Sequence, residues 1–234
     1  MEPYDDAYFA ETHRNWFAHP HIDLFERIAQ LIEREAQPAQ VIDVGCGNGN
    51  FLRYLAGRLR GAALTGVDLV ANQTTPQIEF IQGEVLQADI RRHFSAVVSL
   101  ATIEHIDDVR AFARRLNELA RPGGLVVVMT LNDDSVLYVL ARVLRRVGFS
   151  LTFERLYSRH HIHHFNRRSL AKLLEEEGLR LGDAILHDAP LAAIDIPTAS
   201  RAGALLMRLG VAVVFALGRL MRQTYLQTAV CRKV

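Results

Sequence analysis

The chain has 234 residues, half of them hydrophobic, which suits one α/β domain with an elaboration and allows a sizeable core. Two cysteines, Cys46 and Cys231, are too few for a disulfide framework, so we expect a reducing, cytoplasmic environment. The net charge is only +1, and the acidic N-terminal segment lacks the apolar run of a secretion signal.

The charge is unevenly distributed along the chain. Residues 1–133 contain 12 Lys/Arg and 18 Asp/Glu, a net charge of −6, whereas residues 134–234 contain 15 and 8, a net charge of +7. The basic half is therefore the expected contact for an anionic partner or surface. A chance segregation of solvated charges is the alternative explanation.

Helices and strands are predicted to alternate after an N-terminal helical segment. Helical spacing predicts helices over residues 4–35, and Pro38 ends them. Strands are predicted over residues 41–44, 63–67, 79–82, 96–100, 125–130, 179–186 and 228–234. Further helices are predicted over about 50–59, 109–119, 136–147, 169–177 (capped by Ser169) and 202–221. We expect loops at 70–78 and 148–166 and a turn at Pro122-Gly123-Gly124.

This alternation predicts a mainly parallel, doubly wound sheet. We expect three regions in the chain. Residues 1–38 form a helical lid, residues 39–132 form the ligand-binding core, and residues 133–234 complete the sheet and add an apolar helix over 202–221.

The most informative stretch is the glycine-rich run Val41-Ile42-Asp43-Val44-Gly45-Cys46-Gly47-Asn48-Gly49-Asn50. A strand, a glycine loop and a helix form a site where a ligand lies against bare backbone. Dinucleotide folds have the spacing G-x-G-x-x-G, and Asn50 stands where their third glycine would be. Asp43 would favour a cationic ligand end and repel a pyrophosphate. An ordinary strand–helix turn with incidental glycines is the alternative.

Other motifs follow in order: Asp68, Gly83-Glu84, Glu104-His105 and Pro122-Gly123-Gly124. With the glycine run they cover about residues 40–130 and resemble the class I S-adenosylmethionine (SAM) methyltransferases. The end of the fifth strand, Thr130-Leu131-Asn132, and the later His-Phe segment resemble the quinone and small-molecule O-methyltransferases. The resemblance implies a Rossmann-like α/β fold with a seven-stranded sheet. It also implies a helical N-terminal lid, with Tyr8 and Trp16-Phe17, and a C-terminal elaboration on the substrate side.

The resemblance also implies which residues hold SAM. An acid at Asp68 can bind both hydroxyls of a ribose, although it could instead cap a turn. Leu69 would pack on the adenine, Glu84 would lie near the adenine amino group with Asp89 as an alternative, and His105 would form part of the wall. The expected SAM contacts are Asp43, Gly45, Cys46, Gly47, Gly49, Asp68, Leu69, Gly83, Glu84, Val85, Leu100, Ala101 and His105.

The segment His160-His161-Ile162-His163-His164-Phe165 is rich in histidine. Its spacing could chelate a metal, but the cluster holds no acidic or thiol ligand, so we expect no metal site. In the resembling enzymes a His and aromatic segment here lines the acceptor pocket. We therefore expect a catalytic base among His161, His163 and His164, because the ordinary pKa of histidine is near working pH. A purely structural loop is the alternative.

The predicted helix 202–221 is apolar apart from its arginines. At about 100° per residue, Arg201, Arg208, Arg219 and Arg222 fall within roughly a 60° arc. Arg208 and Arg219 also interrupt the ~20 apolar residues that a membrane span requires. The pattern predicts an interfacial helix or a lid over an apolar substrate. A helix buried on the sheet or in a homodimer is the alternative.

The sequence therefore predicts a SAM-dependent methyltransferase acting on a hydroxyl oxygen of a small or lipid-like acceptor. A SAM-binding module without catalysis and a nucleotide-dependent dehydrogenase are the alternatives. A nucleic acid acceptor is not expected, because the chain lacks an Asn-Pro-Pro-Tyr motif and a basic aromatic tract. We also consider peripheral contact with the inner membrane surface and a homodimer.

Overall fold

The computed structural model describes residues 14–157, 161–195 and 200–234. Tyr8, His160 and the first 13 residues of the predicted N-terminal lid lie outside these ranges. The strands are β1 (Gln40–Val44), β2 (Ala63–Asp68), β3 (Ile78–Gln82), β4 (Phe94–Leu100), β5 (Ala120–Leu131), β6 (Leu179–His187) and β7 (Leu226–Lys233). The α-helices are α1 (Arg14–Ala18), α2 (Ile22–Glu35), α3 (Asn50–Arg58), α4 (Val109–Leu119), α5 (Val136–Arg146), α6 (Leu151–Leu156), α7 (Arg167–Glu176) and α8 (Arg201–Met221).

The seven strands form one sheet in the order β3-β2-β1-β4-β5-β7-β6. Strands β1 to β5 pair in parallel, and β7 lies antiparallel between β5 and β6. The order reverses direction at β1 and β4, which is where open α/β sheets bind ligands. Asp43 on β1 pairs in register with Gly66 on β2 and Val98 on β4. The predicted mainly parallel, doubly wound sheet is confirmed.

Helices cover both faces of the sheet. The inner face of α2 carries Leu24, Phe25, Ile28, Ala29 and Ile32 at helical spacing and packs with α3 on one side of the sheet. Helices α4 and α7 pack on the opposite side through residues that include Phe112, Leu116, Leu170 and Leu174. The central strands are buried on both faces, which explains their continuous apolar runs.

Several local predictions differ from the structure. The stretch 148–166, predicted to be irregular, contains α6, a short helix without a side-chain cap or a buried residue. Helix α7 is capped by Asn166, and Ser169 forms the other half of the capping box. The turn predicted at 122–124 is a bulge within β5, where the register with β4 shifts between Ala120 and Leu125.

Helix α8 connects β6 to β7 and packs against α5 and the 3-10 helix Leu191–Ala193. Only Phe215 and Gly218 of its residues are buried. By length and composition alone, this helix could cross a membrane. Most of its apolar side chains are therefore exposed.

Candidate functional site

A cavity of about 620 Å³ opens at the carboxyl ends of the parallel strands. One end is lined by the glycine loop, by Asp68 and by the residues that follow β3 and β4. The other end is lined mainly by apolar and aromatic side chains together with two histidines, namely Trp16, Phe17, His21, Leu24, Met129, His161 and Tyr225. All the predicted SAM contacts line this cavity except Gly49, which caps α3 beneath it.

The glycine loop is shaped by close backbone contacts. Gly45 has φ of +75°, and its N–H donates to the Val67 carbonyl at 2.9 Å. A Cβ atom on Gly45 would lie 2.3 Å from the Thr102 hydroxyl oxygen. Gly49 has φ of +78°, and a Cβ there would lie 2.8 Å from the Phe80 ring. Glycine is therefore required at both positions by space and by backbone conformation.

Two acids stand side by side beneath the loop. Asp43, at the end of β1, is 2% exposed, and its Oδ1 atom has no hydrogen-bond partner among the described residues. Burial, together with the charge of Asp68, raises the pKa of Asp43 to about 8. An unpartnered buried carboxylate is costly, so this site favours a ligand that brings a positive charge or hydrogen-bond donors.

Asp68 ties β2 to the glycine loop. Its Oδ2 accepts from the Gly47 N–H at 2.7 Å and its Oδ1 from the Val70 N–H at 3.0 Å. Burial raises the pKa of Asp68, and these backbone donors oppose that shift. Each oxygen retains capacity for a further donor, as ribose binding would require.

The predicted adenine contacts lie at the rim of the same end. The Gly83 N–H donates to the Asp68 carbonyl at 2.8 Å, which joins the ends of β2 and β3. Glu84 is exposed and accepts from the Gln87 amide at 2.6 Å, and Leu69 is half exposed. These side chains line the cavity without being buried by protein.

The corner that follows β4 also lines the cavity. Glu104 is 1% exposed, and its Oε2 accepts from the Thr130 hydroxyl at 2.8 Å. Burial raises the pKa of Glu104, and the nearby His161 opposes that shift. The His105 and His161 rings lie 5.0 Å apart between centroids, and both line the cavity.

The structure separates the three candidate histidines. His161 lines the cavity, whereas His163 and His164 do not. His163 approaches the Asp107 carbonyl with its Nε2 atom at 3.3 Å. His164 packs on Tyr157, at 4.4 Å between centroids, and burial lowers its pKa. Of these three candidates, only His161 therefore has access to the cavity.

Sequence reasoning missed a pair of histidines, His21 and His187, of which His21 lines the cavity. His187 Nδ1 lies 3.1 Å from His21 Nε2, and His187 Nε2 lies 2.8 Å from the Thr228 hydroxyl. His21 also caps α2, because its Nδ1 accepts from the Leu24 N–H. Because the two histidines are 166 residues apart in sequence, no local sequence pattern predicts their contact. Tyr225, which precedes β7, was missed for the same reason.

A profile of the methyltransferase domain family matches residues 17–182, more than two thirds of the chain. The chain belongs to the methyltransferase domain family. It is similar to the ubiquinone biosynthesis O-methyltransferase of Chromobacterium violaceum, with 34% identity over 127 residues that cover 48% of this chain and 54% of that relative. The chain thus spans about half the length of the curated relatives it matches.

Two solved methyltransferases have a similar fold. The 1,6-didemethyltoxoflavin-N1-methyltransferase of Burkholderia thailandensis, solved with S-adenosylhomocysteine, superposes with a TM-score of 0.64 at 16% identity, over 97% of this chain and 84% of that one. A SAM-dependent methyltransferase of Archaeoglobus fulgidus superposes with a TM-score of 0.59 at 18% identity, over 97% and 100%. The family and the fold confirm the prediction of a class I SAM-dependent methyltransferase domain, with SAM as its cofactor.

The residues of this methyltransferase domain fit SAM. The unpartnered Asp43 oxygen suits a ligand with a cationic amino group, and Asp68 lies where an acid can hold a ribose. Because Gly45 has no side chain where it approaches Thr102, only its backbone atoms would border the ligand there. Asp43, the glycine loop, Asp68 and Glu84 would hold the cofactor, with Leu100 and Ala101 at its reactive end.

Proposed function

We propose that this methyltransferase transfers a methyl group from SAM to a hydroxyl oxygen of a small, apolar acceptor. The observation that carries the proposal is the single cavity that joins the acid pair and glycine loop to an apolar chamber containing His161. Met129, Tyr225, Leu24 and the ring of Trp16 would enclose the acceptor. The relatives' role in ubiquinone biosynthesis supports a quinone-like, lipid-like acceptor.

SAM supplies an electrophilic methyl group on a positively charged sulfur. With SAM held by Asp43, the glycine loop and Asp68, transfer of the methyl group to the acceptor oxygen would break the carbon–sulfur bond and leave its electron pair on sulfur. The hydroxyl proton passes to His161, which acts as the base. Holding the two reactants in line contributes up to ~7–11 kcal/mol, and a positioned base contributes typically ~10²–10⁴-fold.

The three predicted regions would divide this work. Residues 39–132 hold the cofactor, since the glycine loop, Asp68 and Glu84 all lie there. Of the described parts of residues 1–38 and 133–234, α1, His161 and Tyr225 would enclose the acceptor. His163 and His164 are not included as bases, because neither lines the cavity.

The test uses purified protein and SAM with a radiolabelled methyl group. Cell extract is incubated with both, and lipid products are separated from aqueous ones. We expect label in the lipid fraction and, with a simple quinol, label on oxygen. Binding of SAM without transfer to any component would support the second candidate, a SAM-binding module without catalysis.

Two variants assign the roles of the site residues. Asp68→Ala should weaken SAM binding about 10- to 150-fold, the ~1.5–3 kcal/mol of hydrogen bonds to a charged group, with the fold intact. His161→Gln should lower turnover by ~10²–10⁴-fold while SAM affinity in calorimetry stays near normal. The exposed His93→Gln is the matched control. Unchanged turnover in His161→Gln would remove it as the base.

We also propose that α8 contacts the inner membrane surface from the cytoplasmic side. Most of the exposed large apolar side chains among the described residues lie on α5, on α8 or just after α5. They are Val139, Leu140, Val143, Val147, Phe149, Leu151, Leu205, Leu206, Met207, Leu209, Val213, Leu217, Leu220 and Met221. Neither helix contains an acidic residue, whereas α8 contains Arg201, Arg208 and Arg219. An apolar surface with only positive charge suits anionic lipid headgroups.

A helix lying in the membrane plane explains these features better than a spanning helix. Strands β6 and β7, which α8 connects, pair with each other in one sheet. A spanning α8 would require residues 188–200 to recross the hydrocarbon layer, where irregular backbone cannot satisfy its hydrogen bonds. The proposed α8 therefore lies flat, with its arginines at the headgroup level.

Vesicle co-sedimentation at low salt tests this contact. The protein should bind anionic vesicles, and Arg208→Glu should weaken that binding by about tenfold, since each arginine near the surface contributes ~1 kcal/mol. Arg60→Glu, an exposed arginine far along the chain from α8, is the matched control. If the protein binds no vesicles but forms a homodimer that Leu206→Glu disrupts, α8 is a dimer interface instead.

A further inference from the structure

Glu104 is a buried carboxylate in the wall of the reaction chamber. It lies in the 3-10 helix Ile103–His105 that follows β4, and its side chain is almost fully enclosed. Its Oε2 atom accepts from the Thr130 hydroxyl on β5, at 2.8 Å. A buried carboxylate is retained at a cost, so a charged or hydrogen-bonding partner is expected beside it.

Glu104 also holds the segment that carries His161. Its backbone carbonyl accepts from the Ile162 N–H at 2.9 Å and from the His163 N–H at 3.2 Å. The two residues that follow His161 are therefore fixed to the corner after β4. Glu104 and His161 line the same cavity. Glu104 therefore anchors the segment of His161 through its backbone and brings a carboxyl group to the cavity that His161 lines.

We propose that Glu104 is a positioning residue for His161, which rests on the proposed role of His161 as the base. The carboxylate stabilises the imidazolium that forms when His161 takes the acceptor proton, and the carbonyl fixes the ring's location. The proton stays on His161 until solvent removes it, and the charge of the protonated ring opposes the effect of burial and favours the ionised form of Glu104. Carboxylates support histidine bases in this way because an adjacent negative charge favours the protonated ring.

Other titratable groups face the same pair. His105 lies beside His161. Tyr138 on α5 and Tyr225 in the segment before β7 lie close enough to Glu104 to interact electrostatically with it. Burial, and to a smaller extent the charge of Glu104, raises the pKa of both tyrosines, so both stay neutral near pH 7. Asp107 and Asp108 also line the cavity, beyond His105. Of these neighbours, His105 is the second imidazole, so its signal must be separated from that of His161.

The first experiment needs no acceptor. The protein is labelled at histidine, the His161 resonance is assigned from the spectrum of His161→Gln, and its pKa is measured by NMR titration. Glu104→Gln should lower the His161 pKa by about one pH unit or more, a tenfold change in proton affinity, because an adjacent opposite charge shifts a pKa by ~1–3. Glu104→Asp, which keeps the charge, should restore most of that pKa, and His105→Gln separates the neighbouring ring.

The second experiment uses turnover. In Glu104→Gln the acid limb of the pH–rate profile should move to lower pH, because a less basic His161 stays neutral further into acid. Turnover at neutral pH should fall by about 10- to 100-fold, with the dissociation constant of SAM changed less than about threefold. Thr130→Val, which removes the hydrogen bond and keeps the charge, should leave the acid limb in place.

The outcomes separate the two proposals. An unchanged His161 pKa in folded Glu104→Gln overturns the pairing, whether or not the protein transfers methyl groups. If Glu104→Gln lowers the His161 pKa but the wild-type protein methylates no hydroxyl acceptor, the proposed function is wrong, and so is the catalytic use of the pair. A lower pKa together with a shifted acid limb supports both.

Discussion

Asp43 gives the sharpest prediction, because the same carboxylate should weaken the free fold and strengthen cofactor binding. Its pKa in the fold is about 8 against an ordinary 3.8, raised by burial and then by Asp68. Above 3.8 the unfolded carboxyl is ionised while the folded one stays protonated. Folding therefore loses stability through this group as pH rises from 3.8 to 8, and the loss is absent below 3.8.

The magnitude follows from this difference. Keeping Asp43 protonated at pH 7 costs about 1.36 kcal/mol for each pH unit between 3.8 and 7, or about 4 kcal/mol. Asp43→Asn removes this cost but buries an amide whose hydrogen bonds are incomplete, at ~1–3 kcal/mol. The variant should therefore be more stable than the wild type by about 1–3 kcal/mol at pH 7. That gain corresponds to roughly 2–4 °C in Tm for each kcal/mol.

Thermal unfolding without ligand at pH 4 and pH 7 measures this effect, and calorimetry with SAM measures binding. The Tm gain of Asp43→Asn should be present at pH 7 and turn into a loss at pH 4, where only the cost of the buried amide remains, while SAM affinity falls by about tenfold or more. Asp89→Asn, which alters a carboxylate that is 72% exposed, is the matched control. An equal Tm change at both pH values would refute the reasoning, as would unchanged SAM affinity.

Two further predictions concern the loop and the histidine pair. Gly45→Ala should destabilise the fold by about 2–4 kcal/mol and abolish SAM binding, because its Cβ would lie 2.3 Å from the Thr102 hydroxyl at a positive φ. Gly57→Ala, with no atom within 4 Å, is the control for denaturant unfolding and should be neutral or slightly stabilising. Burial, and to a smaller extent the charge of His21, lowers the pKa of His187 to about 3. The free energy of unfolding should therefore fall by up to about 3 kcal/mol as the pH falls from 6.5 to 4. His187→Gln should flatten that pH dependence relative to His93→Gln, and an unchanged slope would contradict the buried neutral pair.

The cofactor end of the site could be predicted because its determinants are local. Asp43 and Asp68 each end a strand, and parallel strands bring their carboxyl ends to one edge of the sheet. The glycines of the loop reflect a backbone conformation and a close approach that few other residues permit. Each signal lies within a few residues of the structure that it predicts.

The acceptor end could not be predicted in the same way. Tyr225 reaches the chamber because β7 pairs between β5 and β6, a long-range pairing that leaves no mark near Tyr225 itself. His21 meets His187 only after α2 and β6 have packed. Helix α6 was not predicted, because it has no side-chain cap and buries no residue. Neither a capping residue nor hydrophobic periodicity therefore distinguishes its sequence from that of a loop.

The position of β7 also constrains how the chain assembles during synthesis. Strand β7 separates β5 from β6, so β6 has no partner in the sheet until the ribosome has made both α8 and β7. Until then, β6, the exposed apolar surface of α8 and the open edge of β5 are all available to other chains. Unpaired edges and exposed apolar surface promote aggregation of nascent chains. Expression yield should therefore depend on how quickly α8 and β7 are translated after β6, which synonymous codon changes across residues 188–233 would alter without changing the protein.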